Sequence, residues 1–174
     1  MTQMPPFAMS STSRASHPIR LFLDTGVIIE GCLGAWGSCK AALVLATIKV
    51  NFTVVLGEAI EIELRDAVAH KAAGLAPAAA RDFTTGVDGW LARVRIERHP
   101  RPSAGEVQAA MATILPALRH QNDLPAVVTA MLARPDWVLS TNTEHWNDAV
   151  AARTGLRIAT PLAFLSQLLP AEQR

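Results

Sequence analysis

Four residues whose side chains can bind cations are spread across the chain: Asp24, Glu63, Asp123 and Asn142. Asp24 and Asn142 each directly follow a short, mostly apolar segment that is typical of a buried strand. In an open parallel sheet the carboxyl ends of the strands meet at one crevice, where ligands bind. Carboxylates gathered in such a crevice repel each other unless a divalent cation holds them, and hard cations such as Mg²⁺ prefer oxygen ligands. The pattern predicts a metal-dependent site for phosphate chemistry.

Each of these residues also has a purely structural interpretation. Asp24 and Asp123 could cap the helices that follow them, and Asn142 could be an ordinary turn residue. Glu63 shares its predicted helix with two other glutamates, Glu58 and Glu61. Residues two and five positions apart do not lie on one face of a helix, so the three cannot all point into the crevice. The helical register favours Glu63.

Composition indicates an ordinary globular domain. The chain has 174 residues, of which 50% are hydrophobic and 18% charged, and its formal net charge is +1. We expect residues 1–18, rich in Ser, Pro and Met, to be a disordered leader, and residues 19–170 to form a single domain. Two cysteines, Cys32 and Cys39, do not make a disulfide framework and are expected to be small core residues. Apolar runs stay below the roughly 18 residues of a membrane span, which predicts a cytoplasmic protein without a membrane partner.

Strand-like and helix-like segments alternate along the chain, which predicts an α/β fold with a parallel sheet. The predicted strands are about Ile19–Leu23, Phe52–Leu56, a half-exposed edge strand Val94–Arg98, Trp137–Thr141 and Leu156–Ala159. The predicted helices are about Ser38–Ile48, Glu58–Ala73, Pro77–Ala92, a helix from a Ser103/Glu106 capping box to Leu118, Asp123–Ala133, Glu144–Arg153 and Pro161–Leu169, with looser helical material at Val27–Glu30. This order brings the four candidate residues to the same edge of one sheet.

Several enzyme classes do not fit these motifs. A haloacid-dehalogenase-type phosphatase needs a second Asp two residues after Asp24, where this chain has Gly26. The glycines after the first strand are wrongly spaced for a dinucleotide-binding turn. The chain also lacks a Gly-x-Ser-x-Gly elbow and a phosphate-cradling Lys loop, which excludes serine hydrolases of that type and P-loop NTPases.

Five short segments, in order along residues 19–169, resemble motifs of one family. They are Leu23-Asp24-Thr25-Gly26-Val27, Glu63 within 61–65, Asn122-Asp123-Leu124-Pro125-Ala126, the segment Ser140-Thr141-Asn142-Thr143-Glu144-His145-Trp146, and the closing segment 158–165. Taken together they resemble PIN-domain ribonucleases, and among those the toxin component of VapBC-type toxin–antitoxin pairs. The resemblance implies a three-layer α/β/α PIN-like fold with a central, mostly parallel sheet of four or five strands.

The resemblance also implies an activity and a ligand set. The chain would be an endoribonuclease that uses Mg²⁺ or Mn²⁺ to activate water, leaving a 5′-phosphate and a 3′-hydroxyl. Asp24 and Asp123 would bind the cation directly, Glu63 directly or through a water, and Asn142 through its carbonyl oxygen or a water. Supporting hydroxyls would come from Thr25, Ser140 and Thr141.

The partners implied by the resemblance are an RNA substrate, a small antitoxin protein whose tail covers the acidic crevice, and a second copy of the chain in a homodimer. Candidate contacts to RNA phosphates are Arg95 and Arg98 within the basic stretch 93–101, and Arg65 and Lys71 on the helix of Glu63, although basic runs are more often solvated faces. The chain departs from the family pattern at Gly26, where Asn is usual, and at Asn142, which stands in place of an acid. These departures keep open an alternative function, a catalytically silent PIN-like module that binds RNA or protein.

Overall fold

A five-stranded, all-parallel sheet forms the centre of the protein. The computed structural model describes residues 17–48, 51–118 and 120–168. The strands lie in the order β3-β2-β1-β4-β5 and comprise β1 Ile19–Leu23, β2 Phe52–Gly57, β3 Ile96–His99, β4 Trp137–Leu139 and β5 Ile158–Ala159. The predicted sheet is confirmed, with five strands and no antiparallel pair among the described residues.

Helices connect the strands and complete a three-layer α/β/α arrangement. They are α1 Thr25–Leu33, α2 Ser38–Ile48, α3 Glu58–Ala73, α4 Pro77–Leu91, α5 Ala104–Ile114, α6 Leu124–Ala133, α7 Asp148–Thr154 and α8 Pro161–Leu168. Helices α1 to α4 pack on one another, as α5 does on α6 and α7. The fold class predicted from the sequence is therefore confirmed.

The three central strands are buried because their side chains are apolar on both faces. All six residues of β2 and all three of β4 are buried, as are Leu21, Phe22 and Leu23 of β1. Phe22 lies opposite Val55 on one side and Val138 on the other. Trp146 is buried and packs on Phe22 with ring centroids 5.8 Å apart.

An ion pair crosses β2 and ties the edge strand to β1. Arg20 Nε donates to Glu97 Oε2 at 2.9 Å, and His99 Nε2 lies 2.6 Å from Glu97 Oε1. The hydrogen bond from Arg20 lowers the pKa of Glu97 to about 2, against an ordinary 4.5. The edge strand alternates apolar and charged residues as predicted, and its charged Glu97 pairs with Arg20 and His99.

Several predicted element boundaries were wrong. The edge strand begins at Ile96, because Val94 is buried in the turn that ends α4. Strand β4 ends at Leu139, two residues earlier than predicted. Helix α7 begins at Asp148 rather than Glu144, because the Asn147 side chain accepts a hydrogen bond from Val150 N and so caps the helix there. The Ser103/Glu106 capping box is confirmed, and a short 3-10 turn containing Pro116 follows α5.

Gly57 allows two helices to approach each other closely. It ends β2 and precedes α3, and a Cβ atom at this position would lie 2.5 Å from Thr129 Cγ2 on α6. The φ of Gly57, −81°, is accessible to any residue. The close contact with Thr129, rather than the backbone conformation, is therefore what requires glycine here. The contact brings α3, which carries Glu63, next to α6, which begins after Asp123.

Three other sequence-based predictions concern features outside the site. Cys32 is partly buried and Cys39 buried, both as free thiols. Within the described residues no single helix is long and apolar enough to cross a membrane; α1 and α2 reach that standard only together, with a 97° bend between them. The predicted leader falls almost wholly outside the described residues and stays a prediction.

Candidate active site

The candidate site lies where the direction of strand succession reverses. Strand β1 has β2 on one side and β4 on the other, so the connection after β1 and the connection after β4 run towards opposite edges of the sheet. Such a switch point opens a crevice at the carboxyl ends of the strands. A cavity of about 430 Å³ occupies this crevice, lined among others by Asp24, Glu63, Asp123 and Asn142. The structure thus brings together the four residues that the sequence singled out from distant segments.

Asp24 is fixed in place by hydrogen bonds to β4, to the residue after β4 and to the start of α1. It follows β1, and its amide donates to Leu139 O of β4 at 3.0 Å. Its Oδ1 accepts from Thr25 N at 3.0 Å, and its Oδ2 accepts from Ser140 Oγ at 2.6 Å. Burial raises the pKa of the Asp24 carboxyl above its ordinary value, and these two hydrogen bonds offset only part of that shift.

Glu63 is the one glutamate of α3 that lines the cavity. Glu61 instead pairs with Arg98 at 3.2 Å, and Glu58 accepts from the backbone amide of Arg101 at 3.1 Å. The Glu63 side chain is exposed as a whole, but its carboxyl group lies within the crevice. Burial of that group raises the pKa of Glu63, and the negative charge of Asp24 raises it further.

Asp123 occupies the N-cap position of α6 but does not act as a cap. Its side chain makes no capping hydrogen bond, and its buried Oδ2 accepts no hydrogen bond from any described residue. His145 Nδ1 lies 2.7 Å from this oxygen, close enough for a charge interaction but outside hydrogen-bond alignment. The structural interpretation of Asp123 as an ordinary cap therefore does not hold, and its carboxylate remains available to a ligand.

Asn142 lines the cavity, but its side chain also serves the local turn. Its side-chain Oδ1 accepts from His145 N at 3.3 Å. Its backbone N–H donates to Ser140 Oγ at 2.9 Å, and its backbone carbonyl accepts from Trp146 N at 3.0 Å. The amide oxygen thus accepts one hydrogen bond within the turn and keeps a second lone pair. A role for Asn142 towards a cation or its water stays a prediction.

The three predicted hydroxyls differ in position. Ser140 holds Asp24, whereas the Thr141 hydroxyl donates at 3.1 Å to Oε1 of Glu30, a further carboxylate that lines the cavity. The Thr25 hydroxyl lies beside Glu63 and lowers the pKa of that carboxyl, yet its buried Oγ1 makes no hydrogen bond of standard geometry. Gly26 leaves room for Thr141, since a Cβ there would lie 3.1 Å from the Thr141 hydroxyl oxygen.

The arginines predicted to contact RNA do not line this cavity. Arg65 and Arg98 line a separate groove between α3 and α4, and Arg95 lies on the exposed segment before β3. The cavity is instead lined by Lys71, which stands on the same face of α3 as Glu63, eight residues further on. The sequence contained this signal as the spacing of four residues between Glu63, Ala67 and Lys71.

The donor atoms fit a hard divalent cation in kind, although they are not preassembled around one. Asp24, Glu63 and Asp123 offer carboxylate oxygens, which Mg²⁺ and Mn²⁺ prefer. The unpartnered Asp123 Oδ2 and Thr25 Oγ1 are buried polar atoms that a ligand would satisfy. The described part of the chain contains no group of three or more His, Cys, Asp or Glu side chains that could already hold a metal ion. Binding would therefore require these side chains to close on the cation.

Comparison with known proteins supports the fold. No family model and no curated protein matches the chain. Among solved structures, VapBC2 from Rickettsia felis, bound to a DNA fragment from its promoter, aligns with a TM-score of 0.55 at 17% identity, covering 82% of this chain and 98% of that chain. PAE2754 from Pyrobaculum aerophilum aligns with a TM-score of 0.55 at 9% identity, covering 86% and 95% of the two chains. The resemblance to VapC-type PIN domains that the motifs indicated is thus confirmed at the level of the fold.

Proposed function

We propose that this chain is a ribonuclease that hydrolyses phosphodiester bonds with the help of Mg²⁺ or Mn²⁺. The observation that carries the proposal is the convergence of Asp24, Glu63 and Asp123, from three separate elements, on one cavity at the switch point of the sheet. Burial and mutual repulsion raise the pKa of Asp24 and of Glu63. A protein keeps such an unfavourable cluster where a cation offsets its charge.

Three carboxylates, from Asp24, Glu63 and Asp123, would hold the cation. A bound divalent cation supplies Lewis-acid polarisation of a phosphoryl oxygen and lowers the pKa of water. Ser140 orients the Asp24 carboxylate through its 2.6 Å hydrogen bond. Lys71, which makes no ion pair with a described residue, would bind an RNA phosphate at the other end of the cavity. No side chain has to act as a nucleophile.

Incubation of RNA with the purified protein tests this proposal. We expect cleavage in Mg²⁺ or Mn²⁺, none in EDTA, and products that carry 5′-phosphate and 3′-hydroxyl ends, because water is the attacking group. Products with 2′,3′-cyclic phosphate ends, or cleavage that persists in EDTA, would contradict it.

A second candidate function is a silent module that binds RNA or protein without cleaving it. The absence of a preassembled metal cluster in the described residues, and the use of Asn142 Oδ1 in a turn, favour this alternative. RNA that is bound in Mn²⁺ but recovered uncleaved would support it over the ribonuclease.

The proposal extends to partners. A VapBC2 complex is among the structures with this fold, and we propose that this chain also pairs with a small antitoxin protein that covers the acidic crevice. Homodimerisation and a cytoplasmic location complete the proposal, since both fit a toxin that acts on cellular RNA.

Lys71→Ala is expected to weaken RNA binding, because it removes the cationic side chain that lines the cavity. Measured in EDTA, where cleavage does not occur, the dependence of log affinity on log salt should become shallower by about 0.7 for a single strand. Arg65→Ala is the matched control, since Arg65 lies on the same helix but lines a different groove. Unchanged affinity in Lys71→Ala would contradict the assignment of Lys71, whereas equal losses in both variants would show that the arginine groove binds RNA as well.

A further inference from the structure

His145 occupies a position in the site that the sequence motifs did not assign to it. Its side chain lines the same cavity as Asp24, Glu63 and Asp123 and is only 21% exposed. Its Nδ1 lies 2.7 Å from Asp123 Oδ2, the oxygen that accepts no hydrogen bond. Its charge interaction with Glu63 opposes the rise in pKa that burial causes there, so the imidazole lies close enough to influence both Asp123 and Glu63.

His145 is held in this position by a ring contact and a backbone hydrogen bond. The His120 ring packs edge-on against the His145 imidazole, with centroids 4.9 Å apart and an interplanar angle of 75°. The backbone N–H of His145 donates to Asn142 Oδ1, which fixes the turn after β4. Asn142 therefore contributes to the site by placing the backbone of His145.

We propose that His145 is a positioning residue of the metal site, which holds the Asp123 carboxylate in place for the cation. This inference rests on the proposed function. Oδ2, the oxygen next to the imidazole, is buried, whereas the Asp123 side chain as a whole remains 29% exposed. The carboxylate thus has one side against His145 and another towards the cavity. At 2.7 Å a small rotation of the imidazole brings its Nδ1–H into line with Oδ2. An N–H donated to a ligating carboxylate restrains the rotation of that carboxylate and stabilises its charged form.

Loss of such a supporting group weakens metal binding by about 10–100-fold. We expect a loss of this size in Mn²⁺ affinity when His145 is replaced by a residue without a side-chain N–H. The measurement needs no RNA, because it follows binding of the cation alone by calorimetry.

Three variants separate the N–H group from the ring. His145→Ala removes both, His145→Phe keeps a ring to pack on His120, and His145→Asn keeps an N–H at about the position of Nδ1. If His145 positions Asp123, the Phe variant loses Mn²⁺ affinity and the Asn variant retains most of it. If His145 only fills space beside His120, the Phe variant retains affinity and the Asn variant loses it, which overturns the inference. Thermal melting of each variant shows whether it is folded, and the Phe and Asn pair decides the question even if the Ala variant unfolds.

The same titration distinguishes this inference from the function beneath it. Wild type that binds Mn²⁺, with a Phe variant that binds it equally well, contradicts the role of His145 alone. Wild type that binds no Mn²⁺ contradicts the proposed ribonuclease, and the positioning role falls with it.

Discussion

Replacing Asp24 with Asn is expected to reduce RNA cleavage by about 10²–10³-fold while making the metal-free protein more stable. The amide keeps the shape of the side chain: its oxygen can accept from Thr25 N, and its NH2 group can donate to Ser140 Oγ once that hydroxyl turns its own proton away. It lacks the negative charge that would hold a cation. The variant should therefore fold as wild type does and fail at the chemical step.

The gain in stability follows from the raised pKa of Asp24. A carboxyl group whose pKa is higher in the folded state than in the unfolded chain opposes folding once it ionises. In EDTA, the free energy of unfolding of wild type should fall as pH rises from the ordinary value of about 3.8 through the folded pKa of Asp24. The Asn variant lacks this contribution, so its advantage should be full at neutral pH and vanish in acid.

Asp82→Asn provides the matched control, because Asp82 is an exposed aspartate of α4 outside the cavity. It should change neither cleavage nor the pH dependence of the melting temperature. Cleavage by Asp24→Asn at the wild-type rate would contradict the assignment of the site. A lower melting temperature in EDTA would contradict the view that the Asp24 charge is held at a cost to stability.

Gly57→Ala is expected to destabilise the protein by about 1–3 kcal/mol, the usual cost of forcing extra volume into a packed contact. The added Cβ would meet Thr129 Cγ2 at 2.5 Å, so α3 and α6 would have to move apart. Because these helices position Glu63 and Asp123, cleavage should fall by more than the loss of folded protein explains. A displacement near 1 Å in a site can cost about 10²-fold in rate.

Thr129→Ser tests the cause of this effect. It removes the methyl group that the new Cβ would meet, while its hydroxyl can keep the 2.7 Å hydrogen bond that Thr129 Oγ1 donates to Pro125 O. The double variant Gly57→Ala/Thr129→Ser should recover most of the stability and activity, as measured by urea unfolding and RNA cleavage. A double variant as unstable as Gly57→Ala would mean that the cost lies in the backbone rather than in this contact.

The sequence alone predicted the residues of the site better than its contacts. Asp24 could be placed because it follows a mostly apolar run, and Glu63 because only one helical register brings a glutamate of α3 to the crevice. Those features are local, and the order of strands and helices follows from the same periodicities. The two cysteines were likewise predicted from their apolar character alone.

The contacts that could not be predicted depend on competition between nearby polar groups. The segment from Asn142 to Asn147 contains three side chains able to cap a turn or helix, those of Asn142, Thr143 and Asn147, and propensity does not decide which of them starts α7. The structure uses Asn142 for a turn and Asn147 for the helix, and this choice delivers His145 to Asp123. Similarly, composition marked the basic stretch 93–101, whereas the cation that lines the cavity is Lys71 of α3. Which of several arginines or lysines reaches a site depends on helix packing rather than on their number.

The most direct test of the account is calorimetric titration of Mn²⁺ into wild type and into Asp24→Asn/Asp123→Asn, with folding checked by circular dichroism. The account predicts that wild type binds the cation and that the double variant, equally folded, does not. Equal binding by both proteins would place the metal elsewhere on the chain, and a folded wild type that binds no Mn²⁺ would contradict a metal-dependent function for this crevice.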